Sequence, residues 1–279
     1  MDTDIALPSP PYAAPPPLPR AGSELEAPRG WAALAMLVGY FGLQILVAAI
    51  IALVVGMVFA IGHHGLSAAE SSAQVKALLK QTDIRVLLIG GSLLGASALI
   101  VLLVRRQWPQ LWRVATPPGL GMTMPAQTSY LATALLVGLI LPFVGGMITK
   151  LLSQGHDVPQ DIKQLGALAS PWSKCILAGV AVLIAPVVEE ILFRGVLLSA
   201  WLKRLPTGWA VAATSTVFAL IHLPDLSFLW YGLPNLALLG VAFAWLRLKS
   251  GSLYPAMLAH AMNNLVTIGV WFAIASQQT

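Results

Sequence analysis

The chain has 279 residues, of which 57% are hydrophobic and only 10% are charged. Soluble domains carry roughly 25% charged residues, so this chain has too few charges to cover a surface that faces water. The bilayer is therefore its solvent, and the net charge of +5 does not indicate a nucleic-acid partner, because the basic residues lie between apolar segments, where membrane topology explains them.

Residues 1–30 form a low-complexity segment with eight prolines. Such a composition cannot bury enough apolar surface to fold, so it predicts a disordered tail with polyproline-like stretches. The segment has no basic start followed by an apolar run, and we do not expect a cleavable signal peptide.

Seven apolar segments follow, and a membrane-spanning helix needs roughly 20 such residues. The predicted fold class is an all-α polytopic transmembrane bundle of about seven spans, or eight if the longest segment divides. That segment carries Pro186, where a helix kinks or breaks. The segment at 208–222 is short, so its end can leave polar backbone at membrane depth. The seven segments are 31–61, 84–104, 129–149, 174–202, 208–222, 228–246 and 252–275.

The segment between the first two spans predicts a surface helix. Ser67 and Glu70 have the spacing of a capping box, and the apolar residues that follow fall on one helical face.

The distribution of Lys and Arg favours a cytoplasmic N-terminus, because inside loops carry an excess of positive charge. With seven spans, the outside segments and their borders with the spans would hold Lys76, Lys80, Arg85, Lys150, Lys163 and Lys174. The inside segments would hold Arg20, Arg29, Arg105, Arg106, Arg113, Lys203, Arg204, Arg247 and Lys249.

Five ionisable residues fall within the predicted spans: Glu189, Glu190, Arg194, His222 and His260. A charge at the bilayer centre costs at least about 2.5–3.5 kcal/mol, so such residues usually meet in one polar cavity. We expect these five to converge.

Helical spacing indicates how the residues are grouped. Glu190 and Arg194 are four residues apart and can form an ion pair, while Glu189 is rotated about 100° away from that pair. His260 and Asn264 project together from the last span. Each residue also has a plain structural interpretation, as an internal ion pair, a packed histidine or an interhelical hydrogen bond.

Three motifs in successive apolar segments carry a resemblance to a known family. Residues 189–194 read E-E-x-x-x-R, residues 218–222 read F-x-x-x-H, and residues 260–264 read H-x-x-x-N. Their order and setting resemble the CPBP intramembrane proteases, which include the type II CAAX prenyl endopeptidases and bacteriocin-processing relatives. The resemblance covers about residues 170–275. We expect three parts in the chain: the cytoplasmic tail at 1–30, N-terminal transmembrane helices with an amphipathic loop at 31–128, and a protease core at 129–279.

The resemblance implies an intramembrane endopeptidase whose catalytic residues are Glu189, Glu190, Arg194, His222, His260 and Asn264. Glu189 would be the general base that activates water. The other groups leave two alternatives open: His222, His260 and Asn264 bind a metal such as zinc, or the histidines and Asn264 position water and stabilise the oxyanion without a metal. Two histidines and one asparagine make a poor zinc set, so the second alternative is slightly favoured.

We expect the substrate to be a peptide or a membrane protein, and the chain to lie in a plasma membrane, such as a bacterial inner membrane. Two rival functions remain: a non-catalytic scaffold or immunity-type protein, and a proton-coupled transporter. A rhomboid-type serine protease built on Ser215 is disfavoured, since no span contains G-x-S-x-G. The single Cys175 is interpreted as a small buried residue.

Overall fold

The computed structural model describes residues 25–156 and 161–276 of the chain. Within these ranges the regular structure is helical and contains no strand, which confirms the predicted all-α class. Residues 1–24 of the predicted tail lie outside the described residues, and the first helix begins at Gly30.

The described residues form nine main helices in chain order. They are α1 (Gly30–Gly62), α2 (Ala68–Lys80), α3 (Thr82–Gln107), α4 (Ser129–Leu152), α5 (Asp161–Leu168), α6 (Pro171–Leu202), α7 (Thr207–Leu220), α8 (Leu233–Ser250) and α9 (Tyr254–Ser276). Short 3₁₀ turns stand at Pro109–Leu111 and Trp230–Gly232.

Six of the helices in the described ranges are long and apolar enough to cross a membrane, namely α1, α3, α4, α6, α8 with its preceding 3₁₀ turn, and α9. The remaining predicted span, 208–222, corresponds to α7, which has 14 residues. Its length of about 21 Å is less than the ~30 Å hydrocarbon core. Turns at residues 221–228 continue the chain after α7, as expected for a short segment that ends inside the protein.

The long segment with Pro186 forms one helical span, α6, rather than two. It contains two π-helical stretches, Val180–Ile184 and Ile191–Leu197, with an α-helical turn between them. Proline has no N–H, and its ring collides with the carbonyl of the preceding turn, so a local π-helical widening is one way for a helix to continue past it. The widened stretches also set the directions of the side chains that follow.

The helices pack around one main hydrophobic cluster, to which α1, α3, α4, α6, α7, α8 and α9 contribute. Phe193, Phe218 and Phe243 are among its largest fully buried side chains. The opposite faces of α1, α3 and α4 expose many large apolar side chains. That distribution suits helices whose outer surface contacts lipid. Cys175 lies on the exposed side of α6, so its predicted burial is wrong.

The connection between α3 and α4, residues 108–128, packs against the turn between α8 and α9. Arg247, predicted to be an ordinary charge at the membrane surface, is fully buried there in the last turn of α8. Its guanidinium donates hydrogen bonds of 2.7 Å to the carbonyls of Ala115 and Gly119. Gly121 has φ of +77°, and its Cα faces this guanidinium so closely that a Cβ would collide with it. The arginine therefore has a structural role in joining the two connections.

The predicted surface helix is confirmed as α2. The Ser67 hydroxyl accepts a hydrogen bond from the Glu70 backbone, and the Glu70 side chain accepts one from the Ser67 backbone, which completes the capping box. Hydrogen bonds from the Ser67 hydroxyl and backbone lower the pKa of Glu70 below its ordinary value. The ionised carboxylate is thus the form that caps the helix.

Candidate active site

The predicted pair of Glu190 and Arg194 forms a buried ion pair on α6. Arg194 Nη1 lies 2.8 Å from Glu190 Oε1, and the two side chains are only 2% and 0% exposed. The second guanidinium nitrogen, Nη2, donates a 3.1 Å hydrogen bond to the carbonyl of Gly240 on α8. The pair therefore ties α6 to α8 while it neutralises both charges.

Aromatic rings surround the guanidinium of Arg194. Its Cζ lies 4.5 Å from the ring centroid of Phe218, 5.4 Å from that of Phe243 and 5.8 Å from that of Phe193. A ring face attracts a cation, most strongly where water is excluded. These rings help to offset the cost of removing the arginine from water.

His260 on α9 connects this ion pair to Glu189. Its Nδ1 lies 3.0 Å from Glu190 Oε1, and its Nε2 lies 3.8 Å from Glu189 Oε2. The ring of Phe243 stacks on the imidazole at a centroid distance of 4.9 Å. Two carboxylates from successive positions of α6 thus meet opposite sides of one imidazole, which fixes the ring plane.

His222 approaches Glu189 from the turn that follows α7. Its Nδ1 lies 2.7 Å from the carbonyl oxygen of Phe218. A carbonyl can only accept, so Nδ1 carries a proton, and Nε2 of the neutral ring is an acceptor. This Nε2 lies 4.0 Å from Glu189 Oε2, a separation across which a water molecule can bridge two acceptors.

Glu189 stands where the histidines converge, apart from the ion pair, as its helical position predicts. Its side chain is 17% exposed, yet its Oε2 atom is buried and has no hydrogen-bond partner among the described residues. Carboxylate oxygens and unprotonated imidazole nitrogens all accept hydrogen bonds. Their convergence requires a proton donor between them, such as a water molecule or a protonated imidazole.

Asn264 lies one helical turn beyond His260 and contacts α6. Its side-chain amide donates a 2.8 Å hydrogen bond to the carbonyl of Ala181, and its oxygen accepts one of 3.1 Å from Asn263. In a π-helix each N–H bonds to the carbonyl five residues before it. The Ala185 N–H bonds in this way to the carbonyl of Val180. The next carbonyl, that of Ala181, lies five residues before Pro186, which has no N–H to offer it. Asn264 therefore supplies the donor that Pro186 lacks, and its second amide N–H is left for another acceptor.

The spacing of the donors does not fit a closed zinc site. Among the described residues, no three His, Cys, Asp or Glu side chains stand close enough together to hold a metal ion. Tetrahedral zinc with bonds of about 2.0–2.1 Å brings neighbouring ligand atoms to about 3.3 Å. The separations of 3.8 and 4.0 Å between Glu189 Oε2 and the two Nε2 atoms exceed that value.

Three contributors to the site had no sequence motif to mark them. Tyr40 on α1 lies close enough to Glu189 to experience its charge, and its hydroxyl forms a 3.2 Å hydrogen bond with Ser97 on α3. Phe243 stacks on His260, and the Gly240 carbonyl accepts from Arg194. The only signal for Tyr40 was a polar hydroxyl within an apolar span, which alone does not distinguish a site from a packing contact.

Comparison with known proteins supports the motif-based interpretation. A family model described as "Type II CAAX prenyl endopeptidase Rce1-like" matches residues 171–266, about a third of the chain. No curated protein and no solved structure gives a significant match. The matched region runs from the start of α6 into α9 and contains all three motifs. Residues 171–266 are therefore similar to the type II CAAX prenyl endopeptidases, and this match supports the resemblance to the CPBP family of intramembrane proteases.

Proposed function

We propose that the chain is an intramembrane endopeptidase in which Glu189 activates the water that hydrolyses a peptide bond. The observation that carries this proposal is the buried Oε2 atom of Glu189, which has no hydrogen-bond partner among the described residues and faces the Nε2 atoms of His222 and His260. A general base needs a free acceptor and a neighbour that orients the water. Glu189 has both.

In the proposed first step, a water molecule between Glu189 and His222 donates one hydrogen to each. Glu189 removes a proton as the water oxygen attacks the substrate carbonyl carbon. The proton then passes from Glu189 to the amide nitrogen as the carbon–nitrogen bond breaks. The Phe218 carbonyl keeps the His222 proton on Nδ1, so that Nε2 points its lone pair at the water.

The developing oxyanion needs hydrogen-bond donors that are already in place. We assign this role to Nε2–H of protonated His260 and to the second amide N–H of Asn264. Glu190 holds the opposite nitrogen of His260, and the Ala181 carbonyl holds the first Asn264 N–H. Both donors are thus fixed by contacts that do not involve the substrate.

A divalent metal stays a separate proposal, and the mechanism above has no step that depends on one. Its ligands would be His222, His260 and Asn264, and when bound it would acidify a coordinated water. The substrate class is a peptide or membrane protein presented at the bilayer, and the host membrane is a plasma membrane.

The first prediction concerns Glu189→Gln, which keeps the size of the side chain but removes its basicity. We expect cleavage of a quenched fluorescent peptide panel by the purified protein to fall at least ~100-fold, since general-base catalysis contributes about 10²–10⁴-fold. The assay is repeated with a zinc chelator, followed by dialysis and metal restoration. Loss that metal restores would assign the metal role.

Glu70→Gln is the matched control, because Glu70 is an exposed carboxylate on α2, far from the motifs. It should cleave like the wild type. A Glu189→Gln variant with full activity would contradict the proposed mechanism. Absence of cleavage by the wild type on every peptide would favour a non-catalytic scaffold.

A further inference from the structure

A lateral groove between α1 and α3 opens toward the surrounding bilayer. Its volume of about 530 Å³ is within the range of about 300–1,000 Å³ that is usual for small-molecule sites. Its walls are almost wholly apolar. On α1 it extends from Trp31 to Leu46, a rise of about 22 Å. It is therefore long enough to follow one ~15 Å leaflet of the hydrocarbon core.

Small residues on α1 create this groove. Gly39 and Gly42 both line it, and a Cβ added at either position would meet no atom within 4 Å. The space over these glycines is thus empty of protein rather than filled by α3. An apolar chain is the natural occupant of such a space in a membrane.

A second cavity, of about 360 Å³, lies at the end of the bundle where α1 begins. Arg29, Lys203 and Arg204 line it together with a single carboxylate, Glu26. All four side chains are exposed, and within residues 25–156 and 161–276 none of the three cations forms an ion pair. The cavity therefore carries an excess of two positive charges.

Trp31 belongs to the walls of both cavities. Its ring is 67% exposed, and tryptophan typically occupies the boundary between hydrocarbon and head groups. Gln107, at the end of α3, lines the apolar groove near the same boundary. An apolar groove and a basic cavity thus adjoin at one interfacial tryptophan.

We propose that this composite site binds one anionic phospholipid, with an acyl chain in the groove of α1 and α3 and the phosphate in the basic cavity. The complementarity is twofold, because the groove matches hydrocarbon and the three cations match a head group with net negative charge. Basic pockets between transmembrane helices bind anionic lipid head groups in this manner. The site is independent of Glu189 and of the proposed peptidase activity.

The test measures binding of phosphatidylglycerol and of phosphatidylcholine with identical acyl chains to the purified full-length chain, by native mass spectrometry. The head-group variant combines Arg29→Gln, Lys203→Gln and Arg204→Gln. Each basic residue near a membrane surface contributes roughly fivefold, so phosphatidylglycerol binding should fall on the order of 100-fold. Phosphatidylcholine binding should change little.

The matched control for the head-group variant combines Lys76→Gln, Lys80→Gln and Lys150→Gln. It removes the same charge from exposed positions at the opposite end of the bundle and should bind phosphatidylglycerol like the wild type. Melting temperatures of all variants confirm that they are folded.

A groove variant, Gly39→Leu with Gly42→Leu, fills the apolar groove and should weaken phosphatidylglycerol binding at least tenfold. Its control is Gly146→Leu, which places the same side chain in another open position, on α4, and should bind like the wild type. Glycerophosphoglycerol, which lacks acyl chains, should bind far more weakly than the lipid.

Three results would overturn the proposal. One is equal affinity of the wild type for the two lipids. Another is an equal loss of phosphatidylglycerol binding in the head-group variant and its charge control. The third is binding of glycerophosphoglycerol as tight as that of the lipid, which would indicate a soluble phosphate ligand.

Discussion

Glu189 and Glu190 are chemically identical neighbours whose surroundings give them different tasks. Glu190 is fully buried, and its Oε1 contacts both Arg194 and His260. Glu189 is partly exposed, and its nearest charged or titratable partners are two histidine nitrogens at 3.8 and 4.0 Å. The ~100° rotation between successive helical residues separates the two environments. One carboxylate holds the site together, and the other is available for chemistry.

Glu190→Gln should destabilise the protein, because it leaves the buried Arg194 cation without its counter-ion. Breaking a buried pair from one side costs about 3–5 kcal/mol, whereas replacing both partners with uncharged groups is often close to neutral. We expect Glu190→Gln combined with Arg194→Met to recover much of the loss. The measurement is the free energy of unfolding of the purified protein in denaturant.

Glu70→Gln again provides the control: that exposed carboxylate has no buried cation beside it, so its loss weakens only the capping box of α2 and should cost much less free energy of unfolding than Glu190→Gln. Equal destabilisation in the single and the double variant would contradict the ion-pair explanation. Such a result would mean that the contacts of Arg194 with Gly240 and the aromatic rings matter more than its charge balance.

At the scale of single elements, α6 depends on a side chain from another helix. Asn264→Ala removes the donor to the Ala181 carbonyl, and a buried acceptor without a partner costs about 1–3 kcal/mol. Pro186→Ala restores a backbone N–H in α6 and should supply a replacement donor. We therefore expect that Asn264→Ala lowers the free energy of unfolding less than half as much in the Pro186→Ala background as in the wild type.

A double-mutant cycle on the free energy of unfolding measures this coupling between Asn264 and Pro186. Thr267→Ala is a suitable control, because its hydroxyl bonds only within α9, to the Asn263 carbonyl, and it should not couple to Pro186. Additive effects of Asn264→Ala and Pro186→Ala would show that the amide does not replace the missing N–H.

The helices were predictable from sequence, whereas the distortions inside them were not. Apolar segment lengths and the capping residues of α2 contain the information that sets helix positions. The spacing from Glu190 to Arg194 similarly predicted their pairing. The first π-helical stretch of α6 contains Ala181, whose carbonyl accepts a hydrogen bond from Asn264, 83 positions away, and no local pattern reports such a contact.

At the scale of the whole molecule, sequence reasoning grouped the charges by loop but could not tell which of them become buried. Arg247 counts as a surface charge in any hydropathy profile, yet it is enclosed by the connection at residues 108–128. Tyr40 likewise lies within range of the charge of Glu189 only because α1 packs against α6. Both outcomes follow from contacts between distant helices, which composition and periodicity do not encode.

The packing of the helices places the start of α1 and the end of α9 on opposite sides of the bundle. At one end of the bundle, Gly30 faces Arg204, and α8 there meets the connection that follows α3. At the other end, Phe272 faces Gly166. The path of the chain thus crosses the bundle an odd number of times, with α7 and its following turns making the shortest crossing. The end near Gly30 also contains most of the arginines in the described ranges.

We therefore predict that α1 begins on the cytoplasmic side of the membrane and that α9 ends on the outside. A reporter that is active only outside the cytoplasm should be active when fused after residue 279 and inactive when fused after Ser250, which lies at the Gly30 end. The positive-inside rule gives the direction, because short segments rich in Lys and Arg stay in the cytoplasm. The reverse pattern would invert the orientation, and equal activity of both fusions would show that α9 does not cross the membrane.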